Sequence, residues 1–212
     1  MSVRIEKFVN GRWHQNCYIV GNDAREALII DPGSMADKIV EILEHNDWRA
    51  RAILNTHAHY DHVGAIVDLM DRFDLPFYMH GDDSDILQRA NLYKLIFDSY
   101  EAVRIPQITH DLRDAPSVLE IGTFRCSWMA TPGHTPGSVC FQFDDYLFAG
   151  DTLLPNAIGR TDLPGGNKEQ LAESLKKIAA LPGEMVVCAG HGDQTTLGVE
   201  FAPGGKLQNF IK

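Results

Sequence analysis

Long apolar runs are missing from this 212-residue chain. No stretch approaches the eighteen or so residues that a membrane helix needs, so an integral membrane protein is not expected. Blocks of like charge are missing too. The formal net charge is −10, and an acidic balance without clustered Lys and Arg argues against nucleic acid or an anionic membrane as the main partner. Cysteine is scarce: Cys17, Cys126, Cys140 and Cys188 form no CxxC pair, and each sits in a strand-like stretch. They are expected to be buried reduced thiols rather than a disulfide framework. The stretch MSVRIEKFVNGRWHQN is broken by charges and has no apolar centre, so no secretory signal is expected and a cytoplasmic location is. No GxSxG occurs, and no linker or low-complexity segment divides the chain, which predicts one domain over 1–212.

What is present is ordinary globular composition, 44% hydrophobic and 23% charged. Runs rich in β-branched residues open the chain (VRIEKFV, NCYIVG, EALIIDPG), with Gly and Pro as punctuation. Ser34 and Asp37 make a capping-box pattern ahead of Ile39, Ile42 and Leu43, which predicts a helix. RAILNT reads as a short strand, and Val63, Ile66, Val67, Met70 and Phe73 predict a helix beyond it. PFYMHG reads as a strand, 82–100 as one longer helix, and 101–117 as irregular. Strand character returns in SVLEI, TFRCSWMA, SVCFQF and YLFAG. Asn167 and Gln170 open a helix through KEQLAESLKKIAAL, and MVVCAG is a last strand. Strands then helix, twice over, predict an α/β fold of two packed sheets covered by helices: a four-layered αββα sandwich.

The chemistry is concentrated in NTHAHYDHVG. Three of the nine histidines and an aspartate occupy His57 to His62, a poor choice for a core, because each carries a polar group that needs a partner once buried. Three more such residues follow strands directly: His134 in TPGHTPGS, Asp151 after YLFAG and His191 after VVCAG. Strand ends at one edge of a sheet converge, and in open α/β sheets that edge is where ligands bind. His57, His59, Asp61, His62, His134, Asp151 and His191 are too many ligands for one tetrahedral ion. Two divalent ions use the set fully, one on His57, His59 and His134, the other on Asp61, His62 and His191, with Asp151 between them. Imidazole and carboxylate suit zinc, iron or manganese, zinc being the first expectation. His14, His45, His80 and His110 stand alone and are expected to be ordinary.

A water held by two such ions becomes a hydroxide nucleophile near neutral pH. Metal-dependent hydrolysis without a covalent enzyme intermediate is therefore the expected reaction, with Asp61 orienting the hydroxide as well as ligating.

THAHYDH, PGHTPGS, the GD of AGDTLL and the GHG after VVCA resemble the ordered metal motifs of the metallo-β-lactamase superfamily, over most of residues 16–200. GRTDLPGG at 159–166 is similar to the small glyoxalase II-like hydrolases within it. That resemblance implies the αββα fold, the seven ligands above, and hydrolysis of a glutathione thioester, S-D-lactoylglutathione giving D-lactate and glutathione. It makes Arg160 the substrate-binding candidate, with pairing to Asp162 as its purely structural alternative. Only 21 residues follow His191, leaving no room for the C-terminal helical domain of full-length glyoxalase II. Lactamases of the common zinc classes carry cysteine where Asp151 stands, so β-lactams are not the expected substrate. Two other activities remain on the same resemblance: hydrolysis of a lactone or other ester, and a mononuclear iron persulfide dioxygenase using one histidine, His134 and Asp151.

Overall fold

The computed structural model describes residues 3–99 and 101–210. The ends of the predicted domain and Tyr100, the last residue of the helix predicted over 82–100, lie outside the described residues. Among these residues two six-stranded sheets face each other. The first runs β1 (Val3–Asn10), β2 (Gln15–Asn22), β3 (Glu26–Ile30), β4 (Arg49–Leu54), β5 (Phe77–Met79) and β6 (His110–Asp111). The second contains β7 (Val118–Ile121), β8 (Phe124–Ala130), β9 (Val139–Phe143), β10 (Tyr146–Gly150), β13 (Val186–Ala189) and β14 (Thr195–Thr196). A hairpin of β11 (Leu153–Leu154) and β12 (Ala157–Ile158) leaves the end of β10.

Helices cover the outer faces. α1 (Ala36–His45) connects the parallel strands β3 and β4, α2 (Tyr60–Val63) and α3 (Ile66–Phe73) follow β4, and α4 (Ser84–Gln88) and α5 (Ala90–Phe97) follow β5. α6 (Lys168–Ala179) connects the parallel pair β10 and β13. α7 (Leu197–Glu200) and α8 (Lys206–Phe210) complete the chain.

The core explains why the strands read as near-continuous apolar runs: both faces of each sheet are covered. On β2, Cys17 and Ile19 pack under α1 and α3, whereas Tyr18 and Val20 point between the sheets. On β10, Phe148 joins the inter-sheet layer, while Leu147 and Ala149 meet Leu171, Leu175 and Ile178 of α6. Three apolar layers thus separate four structural ones, in the αββα order expected. Each large side chain buried in them contributes about 1.5–3 kcal/mol. All four cysteines are buried and unbridged, and burial pushes the Cys140 and Cys188 thiols up to about 12.

Local expectations fail in three places. Ser34 does not cap α1, whose preceding residue Met35 is left-handed at φ 60° with no side-chain cap. The Ser34 hydroxyl donates to Asn10 Oδ1 instead (2.7 Å), so a tertiary partner on β1 outcompetes the local one. The helix after the histidines is broken at Gly64 and Ala65. Of the apolar face read from the sequence Val63 and Ile66 are buried, as is Leu69 outside it, while Phe73 is exposed. Asp61 and His62 consequently lie on a helical turn, not on an open loop. The helix predicted over 82–100 opens as a 3-10 turn over Gly81–Asp83 and is split at Arg89 into α4 and α5. Asn167, by contrast, caps α6 as expected, accepting from Gln170 N–H (2.9 Å). No helix among the described residues is long and apolar enough to cross a membrane.

Candidate metal centre

Four strand ends build one cluster. His57 follows β4, His134 lies between β8 and β9, Asp151 follows β10, and His191 follows β13. Gly150 sits opposite Ala189 in the parallel pair, and Gly190 N–H donates to Gly150 O (2.7 Å), which sets Asp151 beside His191. The two sheets meet here through Val139 N–H to Thr56 O (2.8 Å) and Asn16 N–H to Gly190 O (2.7 Å). The approach is close enough to require glycine. Gly150 has φ 49°, and a Cβ there would lie 2.2 Å from Thr56 Oγ1. A Cβ on Gly190 would lie 2.2 Å from Asp151 Oδ1.

Donor atoms fall into groups lying within 4.8 Å of one another: His57, His59 and His134; Asp61, His62 and His191; and Asp31, His57 and His62. The first two are the triads read from the sequence. Asp151 stands between them, its Oδ1 3.6 Å from His62 Nε2 and its Oδ2 3.6 Å from His134 Nε2 and 3.5 Å from His191 Nε2. The four isolated histidines, His14, His45, His80 and His110, belong to none of these groups.

Hydrogen bonds on the far side of each ring aim the near nitrogen inward. His134 Nδ1–H donates to Arg160 O (2.8 Å) and His191 Nδ1–H to Trp13 O (2.9 Å). His62 Nδ1–H donates to Asp31 Oδ2 (3.0 Å). Thr56 Oγ1 gives its own proton to Asp31 (2.6 Å), so it accepts from His57 Nδ1–H at 3.0 Å. In all four rings Nε2 is left with a lone pair, and the outer partner fixes the tautomer, as metal-ligating histidines require. His59 differs, turning Nδ1 toward His134 Nε2 (2.9 Å).

Three buried atoms at the centre have no hydrogen-bond partner: His57 Nε2, His62 Nε2 and Asp151 Oδ1. Asn16 Oδ1 and Asn55 Oδ1, a few residues away, share that condition. An unsatisfied buried polar atom costs about 1–3 kcal/mol, and a cation at each triad, with Asp151 between them, would remove the cost at all three. The electrostatics agree with that fit. Burial, then the neighbouring imidazoles, hold His57 well below the ordinary histidine range; burial and His134 push His59 down to about 3. Both are therefore neutral donors. Burial opposes ionisation of Asp61, yet His62 and His191 hold its carboxyl well below the usual range. Burial likewise opposes a charge on His62, but Asp61, Asp31 and Asp151 raise it to about 9. The carboxylates call for positive charge at this spot, which a divalent ion supplies in place of a proton.

Arg160 lies at the rim of a pocket of about 270 Å³ that also touches His59, Asp61, His134, Asp151 and His191. Its Nε and Nη2 donate to the two oxygens of Asp162 (2.9 and 2.8 Å) and draw that carboxyl down to about 2. Arg160 thus pairs with Asp162, and it also borders the pocket.

Sequence reasoning missed the residues that hold the ligands. Asp31 follows β3 as Asp151 follows β10, and that shared strand-end position was the available signal. Asn16 Nδ2 fastens the His191 loop through Ala189 O (2.9 Å) and Gly192 O (2.7 Å). Asp83, fully buried, ties two ligand loops together. It accepts from Ala58 N–H (2.9 Å) between His57 and His59, and from Thr135 Oγ1–H (2.8 Å) and Gly137 N–H (2.6 Å) beyond His134. Asp83→Ala is expected to leave the buried Ala58 and Gly137 N–H groups without an acceptor, the Thr135 hydroxyl keeping Ser138 Oγ (2.7 Å). It should lower unfolding stability by about 3 kcal/mol and metal affinity by roughly tenfold, measured by denaturant titration and metal titration. Unchanged values in both would show the bracket to be idle.

The Metallo-beta-lactamase superfamily model matches residues 10–191. Hydroxyacylglutathione hydrolase GloC of Haemophilus influenzae is 32% identical over 196 residues, covering 89% of this chain and 90% of its own length. The crystal structure of TTHA1623 in a di-iron-bound form is 34% identical at a TM-score of 0.83, covering 93% of this chain and 97% of that one. The BLEG-1 B3 metallo-beta-lactamase is 37% identical at a TM-score of 0.87, covering 93% and 96%.

Proposed function

Because the chain belongs to the metallo-beta-lactamase superfamily, we propose that it is a dinuclear metal-dependent hydrolase of a small thioester, with S-D-lactoylglutathione, cleaved to D-lactate and glutathione, as its reference substrate. The observation that carries this reading is the pair of donor triads with Asp151 between them, open to one pocket. A relative named hydroxyacylglutathione hydrolase and a neighbour that holds two irons support it.

In this proposal His57, His59 and His134 would hold one ion and Asp61, His62 and His191 the other, with Asp151 placed between the two triads. When bound, the two ions supply Lewis acidity that lowers the pKa of a water and polarises the thioester carbonyl. The chain's own groups position the reactants. Asp61 accepts a hydrogen bond from the attacking water and orients it. Asp31 and the carbonyls of Arg160 and Trp13 keep the imidazoles in one tautomer, so no reorganisation is needed during reaction. The Arg160 guanidinium, steadied by Asp162, faces a substrate carboxylate at the rim. One domain acting in the cytoplasm on a small molecule completes the reading.

The test is the rate of S-D-lactoylglutathione hydrolysis by protein loaded with zinc, manganese or iron, against a chelated control. Metal-dependent loss of the thioester with near two metals per chain is the expected result. Two further substrates belong in the same assay: a β-lactam, the class named for one 37% identical structure, and glutathione persulfide with an oxygen electrode. The persulfide reaction leaves the second triad, Asp61, His62 and His191, without a role. One iron per chain with oxygen uptake and no thioester hydrolysis would overturn the hydrolase.

A further inference from the structure

Four separate segments converge on the pocket away from the triads. Trp13 comes from the turn between β1 and β2, Tyr93 and Phe97 from α5, Leu154 and Ile158 from the β11–β12 hairpin, and Leu163 from the loop before α6. They make a wall of aromatic and aliphatic side chains continuous with the metal-facing residues. Large apolar groups left in water are costly, and a concave apolar wall beside a reactive centre is where a substrate buries its own apolar part. Trp13 is half exposed and Phe97 is 40% exposed, so both have surface left to cover.

Cations are sparse along this wall. A glutathione moiety carries two carboxylates at neutral pH, for which Lys and Arg side chains are the strongest partners. Among the described residues lining the pocket, Arg160 is the one Lys or Arg side chain, and Asp162 already engages two of its nitrogens. The nearby charges are turned elsewhere: Arg12 donates to Asp98 O (3.0 Å) and lies over the Trp13 ring, and Lys94 faces Asp98 and Ser99.

We infer that this wall is a subsite for an apolar segment flanking the scissile carbonyl, so that the preferred substrates are thioesters carrying an alkyl or aryl chain rather than the short, polar lactoyl group on glutathione. The inference rests on the thioester hydrolase reading and specifies its substrate class.

Two series test it on metal-loaded protein: acyl groups from acetyl to octanoyl on one thiol, and thiols of increasing length carrying one acetyl group. In one of the two, kcat/KM rises about threefold per added methylene, and the series that rises assigns the side of the bond. Phe97→Ser reduces the slope below about twofold. Leu92→Ser, on the same helix outside the pocket and 53% exposed, leaves it unchanged. A second readout does not need turnover: calorimetric binding of straight-chain carboxylates from acetate to octanoate should tighten with length in the parent and not in Phe97→Ser. Flat slopes in both series while thioesters are cleaved would overturn the apolar subsite and leave the hydrolase standing. If no thioester is cleaved in any metal form, the hydrolase reading fails, and the carboxylate series alone decides the subsite: tightening lost in Phe97→Ser upholds it, and length-independent binding removes it.

Discussion

Asp151→Ala should reduce kcat/KM for the reference thioester by a factor on the order of 10³ or more, about 4 kcal/mol of transition-state stabilisation, and reduce bound metal from two ions per chain toward one. The reason is position. The Asp151 carboxylate is within 3.6 Å of imidazoles from both triads, so on the proposed assignment its loss would take a ligand from both ions at once. The folding consequence differs between the two forms. Asp151 Oδ1 is buried without a hydrogen-bond partner, while the carboxylate attracts His62. These oppose each other, so metal-free Asp151→Ala should be about as stable as the metal-free parent. The metal-loaded variant should be clearly less stable than the loaded parent. Metal analysis, steady-state kinetics and denaturant titration of both forms check this. Two ions retained with normal turnover would remove Asp151 from the centre.

Stripping both ions with a chelator should abolish hydrolysis and lower the thermal midpoint by about 10–20 °C. Each ion bound only by the native state stabilises it by about 2.7 kcal/mol at a hundredfold excess over its dissociation constant. Two sites therefore supply about 5 kcal/mol, and in a chain of this length each kcal/mol moves the midpoint by roughly 2–4 °C. The loss should be local in origin. The donors come from loops after β4, β8, β10 and β13, and amide exchange should accelerate there before it does in the strands themselves. Returning zinc, manganese or iron should restore midpoint and activity together. A midpoint that ignores chelation would mean that the clustered imidazoles bind no ion in the native protein, and the orphaned nitrogens of His57 and His62 would need another explanation.

The strands and the residues at their ends were legible in the sequence for related reasons. A strand buried on both faces leaves a continuous apolar run, and a residue needed at its end appears directly after that run. RAILNT leading into His57, YLFAG into Asp151 and VVCAG into His191 carry this information locally. The layer order followed, since α1 and α6 each bridge a parallel pair that cannot be joined by a tight turn. Donor grouping was legible because imidazole and carboxylate make poor core material, and the fold brings His57, His59 and His134, and Asp61, His62 and His191, together in space.

What the tertiary structure decided depends on partners far apart in sequence, which no local pattern encodes. Ser34 has the spacing of a cap, yet Asn10 on β1 takes its hydroxyl. Asp31 looks like a turn residue until the fold brings Thr56 and His62 to its two oxygens. Asp83 begins a polar-looking stretch and ends fully buried between two ligand loops. The substrate wall is of the same kind. Trp13, Phe97, Leu154 and Leu163 show no shared periodicity, because a pocket is lined by whichever side chains separate loops deliver to one place. The candidate donors are thus written along the chain, several of them directly after a strand, whereas their orientation and the character of the pocket arise only when separate loops and two sheets are packed together.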